Sequence, residues 1–235
     1  VGIEATRKRH HILKFLIRRG RIYREGSHWT QKHRAWLQTQ CFDSWKDTVA
    51  FDELRTGLLE LESRRARLAR AMEQLAQEDG YALEMGILRC FRGIDTAMAL
   101  TLITEIFDIE RFVHPRTLMS YVGLTPGLYQ SADRETRTGI TKTGSRYARW
   151  ALGQVAMKYR HQPTVGLTLR RRREGQPAWA IEIADRAAQR LHRRYWSLVM
   201  RGLPAGKARM AVARELTAFV WEALTEARHR RSRAA

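Results

Sequence analysis

The sequence predicts an all-α protein, with a long coiled-coil-like helix followed by a helical domain that contains a helix-hairpin-helix element. Three observations predict it. Apolar residues recur at three- and four-residue spacing in nearly every segment. Phe51, Leu54, Leu58, Leu61, Leu68, Met72 and Leu75 fall on a seven-residue repeat whose one missing slot is Arg65. No stretch reads convincingly as a strand.

Taken in order, Thr6 to Arg19 places Ile12, Phe15, Leu16 and Arg19 at helical spacing, and Gly20 can cap the end. Arg21 to Gln31 is a connector. Trp29, His33, Trp36 and Leu37 predict a second, short helix, its tryptophans read as core anchors rather than base-stacking platforms. The repeat from Phe51 to Leu75 predicts a third. Its narrow apolar stripe reads as a dimerisation arm; the alternative is a helix packed within its own subunit. Gly57 weakens it locally, and Asp79-Gly80 ends it. Leu83, Ile87, Leu88 and Phe91 begin the next helix. Phe91-Arg92-Gly93-Ile94-Asp95-Thr96-Ala97 then turns into an apolar helix that runs to Ile106. Gly93 marks a tight turn, and the Asp95 carboxylate can cap the following amides. The same carboxylate would repel a phosphate that the turn amides could otherwise face. Pro115 suits the first position of a short helix that Gly123 ends.

Residues 123–144 read as a loop punctuated by Gly123, Pro126, Gly127, Gly139 and Gly144, with Ser131 inside it. A helix follows from Ser145 toward Tyr159, with Trp150, Leu152 and Val155 inward. Residues 160–180, including Arg170-Arg171-Arg172-Arg173, read as a basic connector. Two helices, about 179–200 and 207–228, are separated by Gly202, Pro204 and Gly206, and the tail from Arg228 is expected to fray.

Charge narrows the function. The 235 residues carry 43 Lys+Arg against 24 Asp+Glu, a net charge of +19. Residues 1–40 contribute +8, residues 111–150 +5 and residues 151–235 +12, whereas residues 41–110 carry −6. Two basic ends around an acidic middle favour a polyanionic partner, through release of counterions from nucleic-acid phosphates. No run of about 18 apolar residues offers a membrane span, and no apolar leader suggests secretion. Cys41 and Cys90 are too few for a disulfide framework and lack metal-ligand spacing. The chain opens with Val1 rather than Met, which suggests a fragment.

Two features could carry chemistry. Gly139-Ile140-Thr141-Lys142-Thr143-Gly144-Ser145 superficially resembles a nucleotide-binding phosphate loop, but Ser145 stands where the lysine belongs, which excludes nucleotide hydrolysis. A Gly- and Lys-bearing loop feeding a helix N-terminus can still hold a nucleic-acid phosphate. Ser131 is the candidate nucleophile. Its hydroxyl could attack a phosphodiester, with Arg134, Arg137, Lys142 and Arg146 neutralising the phosphate. Residue chemistry alone does not single this serine out.

A resemblance does. Leu118-Met119-Ser120-Tyr121-Val122-Gly123-Leu124-Thr125-Pro126, then Tyr129-Gln130-Ser131, then Gly139 through Arg146 resemble the C-terminal domain of the insertion-sequence-110 family of transposases, also labelled 116 and 902. The 91–97 turn is similar to that family's helix-hairpin-helix start, and 186–194 and 211–221 also resemble it. The resemblance implies DNA strand cleavage and rejoining through a serine nucleophile, here Ser131. The candidate nucleic-acid contacts are Gly93, Arg134, Arg137, Lys142, Gly144, Ser145 and Arg146. The resemblance divides the chain into a basic helical segment (1–45), a dimerisation helix (46–80) and a serine-bearing transposase domain (81–235). It implies an incomplete chain, because the family's resolvase-like domain, with four acids for a divalent metal such as Mg, would lie upstream of Val1. The expected partners are DNA, a structured guide RNA and a second copy of the chain, in a bacterial cytoplasm near the nucleoid. The rival readings are a non-catalytic nucleic-acid-binding relic and an RNA-binding helical scaffold.

Overall fold

The computed structural model describes residues 1–78, 80–131 and 134–234, with the backbone path alone for 128–131, 134–138 and Ala234. The described chain is all-α apart from one two-stranded hairpin. It divides into two units, Val1–Ala71 and Met72–Ala235.

The first unit packs α1 (Gly2–Ile17), α2 (Gln31–Gln38) and the first part of α3 (Trp45–Leu75). Ala5, Ile12 and Leu16 lie on one face of α1 at the spacing expected of an amphipathic helix, and they bury with Leu37, Phe51 and Leu58. Trp29 and Trp36 are half-buried against this cluster. Phe15, Phe42 and Phe51 pack ring to ring at centroid separations of 5.2–5.8 Å. Thr30 caps α2 by accepting from the His33 amide at 3.3 Å. Glu62 on α3 accepts from Arg9 at 2.8 Å and from both terminal nitrogens of Arg34 at 2.9 Å. These bonds hold its carboxyl down at about 2.

This packing gives the first half of the seven-residue repeat a partner within its own unit. Phe51, Leu54, Leu58 and Leu61 pack in the unit's own core, so a narrow stripe is not evidence for a second chain. The third helix is long, as expected. Leu68, in contrast, is 48% exposed.

The second unit is built around α10 (Ala205–Ala234), which packs against α4 (Ala82–Arg89), α6 (Pro115–Tyr121), α7 (Arg146–Ala156) and α9 (Ala178–Met200). Ala180, Ala184, Ala187 and Ala188 of α9 and Ala208, Ala213, Ala223 and Ala227 of α10 are buried, and such small residues let helix backbones approach closely. α9 and α10 form a helical hairpin. Gly202 takes a left-handed φ of +83°, its amide donates to Val199 O, and the Leu203 amide donates to Leu198 O. α5 (Thr96–Ile106) packs on α4 and α7.

Three further expectations give way. Residues 126–140 are not a plain loop: β1 (Pro126–Ser131) pairs antiparallel with β2 (Arg134–Ile140), with an irregularity between Pro126 and Leu128. The expected connector at 160–180 contains a short helix, α8 (Leu167–Arg173). The tail does not fray at Arg228 but stays helical to Ala234, with Arg228 bonded to Glu110 at 3.0 Å and Arg230 to Glu226 at 2.6 Å.

Candidate nucleic-acid site

The hairpin is anchored at its base by a backbone clasp between the end of α6 and the loop before α7. Gly123 (φ +68°) and Gly144 (φ +73°) both adopt the left-handed conformation that suits glycine. A Cβ at Gly123 would lie 2.1 Å from Thr143 O, and one at Gly144 would lie 1.8 Å from Tyr121 O. Across this close approach the Thr141 amide donates to Thr125 O at 2.9 Å, the Lys142 amide to Gly123 O at 3.1 Å and the Ser145 amide to Tyr121 O at 3.1 Å. Arg149 ties both sides together, donating to Val122 O at 2.9 Å and Thr143 O at 3.1 Å.

The sequence-expected residues therefore separate by role. Gly144 makes the clasp possible. Ser145 is spent on architecture: its hydroxyl donates to Glu105 at 2.5 Å and accepts from the Ala148 amide at 3.0 Å, capping α7. Lys142, at φ +60°, and Arg146 are exposed beside the clasp and free to face solvent. Ser131 closes the described strand pairing opposite Arg134, and Arg137 pairs with Leu128. The side chains of Ser131, Arg134 and Arg137 lie outside the described residues, as does all of Ala132 and Asp133.

Gly93 sits elsewhere, in the turn between α4 and α5, at φ +84°. A Cβ there would lie 2.7 Å from the Lys158 side chain, so close packing explains the glycine. Asp95 caps α5 by accepting from the Met98 amide at 2.9 Å, as expected from the sequence. The arginine run of α8 holds this turn from behind. Arg172 donates to Ile94 O, and Arg173, nearly buried, donates to Cys90 O at 3.1 Å while pairing with Asp185 at 2.8 Å. Desolvation and the neighbouring positive charge of Arg89 push the Arg172 guanidinium below its ordinary pKa.

Sequence reasoning missed the groove beside the hairpin base. A space of about 640 Å³ opens between Leu124, Pro126 and Ile140 on one side and Met210 and Ala211 of α10 on the other. Lys142, Lys207 and Arg214 line it with positive charge. The signal was present in the spacing of Lys207, Met210, Ala211 and Arg214, which shares one helix face. Trp150 was expected inward and is instead 53% exposed, because Ala148, Ala151, Leu152 and Val155 already fill the buried face of α7.

Among the described residues, no three His, Cys, Asp or Glu side chains converge as a metal site. Among the described residues, no helix is long and apolar enough to cross a membrane.

A basic, clasp-anchored hairpin in a helical domain fits a nucleic-acid-handling protein, and comparison with known proteins points the same way. Residues 85–168 match the Transposase IS116/IS110/IS902 family. The chain is 34% identical over 220 residues to a protein described as transposase y4qE of Sinorhizobium fredii, covering 94% of this chain and 53% of that protein. It is 26% identical over 202 residues to the transposase for insertion sequence element IS1533 of Leptospira borgpetersenii, covering 83% of this chain and 57% of the relative. The chain is thus similar to transposases of the IS116/IS110/IS902 family and spans about half the length of these curated relatives.

Proposed function

We propose that this chain is the serine-bearing part of an insertion-sequence transposase, which binds DNA and supplies Ser131 as the nucleophile for strand cleavage and rejoining. The observation that supports it best is the anchored hairpin. Ser131 lies at its far end, within the family-matched residues, and the clasp at 121–125 and 141–145 fixes its base beside the basic groove. In the proposed step the serine oxygen forms a bond to phosphorus and the phosphodiester bond to one DNA oxygen breaks. The leaving DNA hydroxyl takes up a proton, and reversal of the step by another DNA hydroxyl rejoins the strand and frees the serine. Arg134, Arg137, Lys142 and Arg146 are proposed to neutralise the phosphate. The general base, and a divalent metal if one is used, would come from outside the described residues. A guide RNA and a second copy of the chain complete the proposed assembly.

DNA binding by the chain alone is expected to be strongly salt-dependent. About six to ten phosphate contacts would lower affinity about 10³–10⁵-fold between 50 and 200 mM salt. When the chain is joined to the part of its Sinorhizobium relative that lies outside the match and given DNA, Mg²⁺ and a matching guide RNA, a covalent protein–DNA species is expected on denaturing gels. Ser131→Ala should abolish that species and leave binding within about threefold. DNA binding with no covalent species under any of these conditions would favour a non-catalytic binding protein.

A further inference from the structure

The outward face of α7 is apolar, aromatic and exposed, although its inward face is fully packed. Tyr147 is 57% exposed, Trp150 is 53% exposed and Met157, just past the helix end, is 37% exposed. Spacings of three and seven residues put all three on one side of the helix. Basic side chains flank them. Lys142 precedes the helix, the Arg146 guanidinium lies 5.2 Å from the centre of the Tyr147 ring, and Arg209 of α10 donates to the Met157 sulfur at 3.4 Å. The helix itself, Arg146–Ala156, contains no acidic residue. The nearby Glu105 is engaged by the Ser145 hydroxyl.

We infer that this face is a stacking platform for unpaired nucleotides of a single-stranded nucleic acid, a contact separate from any grip on duplex DNA. The inference rests on the nucleic-acid-binding part of the proposed function. An apolar protein partner would match the rings but not the basic side chains of Lys142, Arg146 and Arg209 beside them, whereas a single strand matches both through its bases and its phosphates. A duplex keeps its base faces stacked internally and offers these rings nothing comparable. Tyr147 and Trp150 stand one helical turn apart, and the stripe from Arg146 to Met157 is about 17 Å long, enough for two or three extended nucleotides.

The test uses fluorescence anisotropy with three labelled probes: a ten-nucleotide oligo-dT, the corresponding oligo-U and a blunt duplex. Trp150→Ala is expected to weaken binding to at least one single-stranded probe by about 5- to 150-fold, the range for loss of one base–aromatic stack. Duplex affinity should stay within twofold, and Trp150→Phe should restore single-strand binding to within threefold. The strand type that responds more strongly identifies the nucleic acid. A 2-aminopurine in the bound oligonucleotide should be quenched by the wild type and not by Trp150→Ala. Equal losses on duplex and single strand, or no loss on either, would overturn the platform while leaving the proposed DNA binding intact. Conversion of a wild-type dimer to a monomer by Trp150→Ala would also overturn it, in favour of a protein interface. Failure of the wild type to bind all three probes would instead refute the nucleic-acid reading beneath it.

Discussion

Replacing Gly144 with alanine should loosen the base of the hairpin without altering any side chain proposed to neutralise the phosphate. At φ +73° an L-residue costs about 1–2 kcal/mol relative to glycine. The new Cβ would also stand 1.8 Å from Tyr121 O, far inside contact distance. The two backbones must then separate by more than an ångström, which breaks the 3.1 Å bond from the Ser145 amide to Tyr121 O. Losing that bond adds about 1 kcal/mol. The expected loss is therefore about 3 kcal/mol, concentrated at residues 121–125 and 141–145. Urea unfolding measures the total, and hydrogen exchange of the Thr141, Lys142 and Ser145 amides locates it. Gly139→Ala is the control: it lies on the same hairpin, its added Cβ meets nothing within 4 Å, and it should change stability by less than about 0.5 kcal/mol. A Gly144→Ala protein as stable as the wild type, with unchanged exchange at those three amides, would refute the clasp.

Three other outcomes follow from the packing. Glu62, held at about 2 against an ordinary 4.5, stabilises the first unit above pH 4.5, and this contribution disappears as pH falls from 4.5 to 2. With Arg34 partly solvated the contribution is about 2 kcal/mol, so the stability gap between wild type and Glu62→Gln should close over that interval. Leu58→Glu should unfold the first unit at a cost of about 3–4 kcal/mol, read by tryptophan fluorescence, because Leu58 is core. Leu68→Glu should cost under 1 kcal/mol, and light scattering on that variant tests self-association through the exposed part of α3. Arg173→Leu should destabilise the second unit by about 2–3 kcal/mol in urea unfolding, by removing the bond to Cys90 O and the pair with Asp185.

Most helices, α8 apart, were legible because their signals are local. Pro115 at the start of α6, Asp95 capping α5 and Gly202 closing α9 are rules that act within one turn. The hairpin was not legible. Its strands are short, rich in Arg and Thr, and interrupted by Pro126 and Gly127, so neither shows clear alternation. What registers them is the clasp, which joins residues about 20 positions apart through backbone contacts that side-chain patterns do not encode. The same limit explains the repeat in α3. A seven-residue stripe shows that one face is covered, and Ile12, Leu16 and Leu37 do the covering over its first half. Arg172 and Arg173, read from the sequence as part of a basic connector, bind backbone carbonyls of their own chain, as does Arg149. Lys207 and Arg214 were underread, because only the fold brings α10 beside the hairpin base.

The central claim is that Ser131 is the residue that becomes joined to DNA. It is tested most directly by trapping the covalent species from the chain joined to the unmatched part of its relative, with guide RNA, digesting both components and locating the nucleotide remnant by peptide mass spectrometry. The account predicts one modified peptide, with the remnant on Ser131 and none recovered from Ser131→Ala. A remnant on Ser145, or a species that persists unchanged in Ser131→Ala, would contradict it.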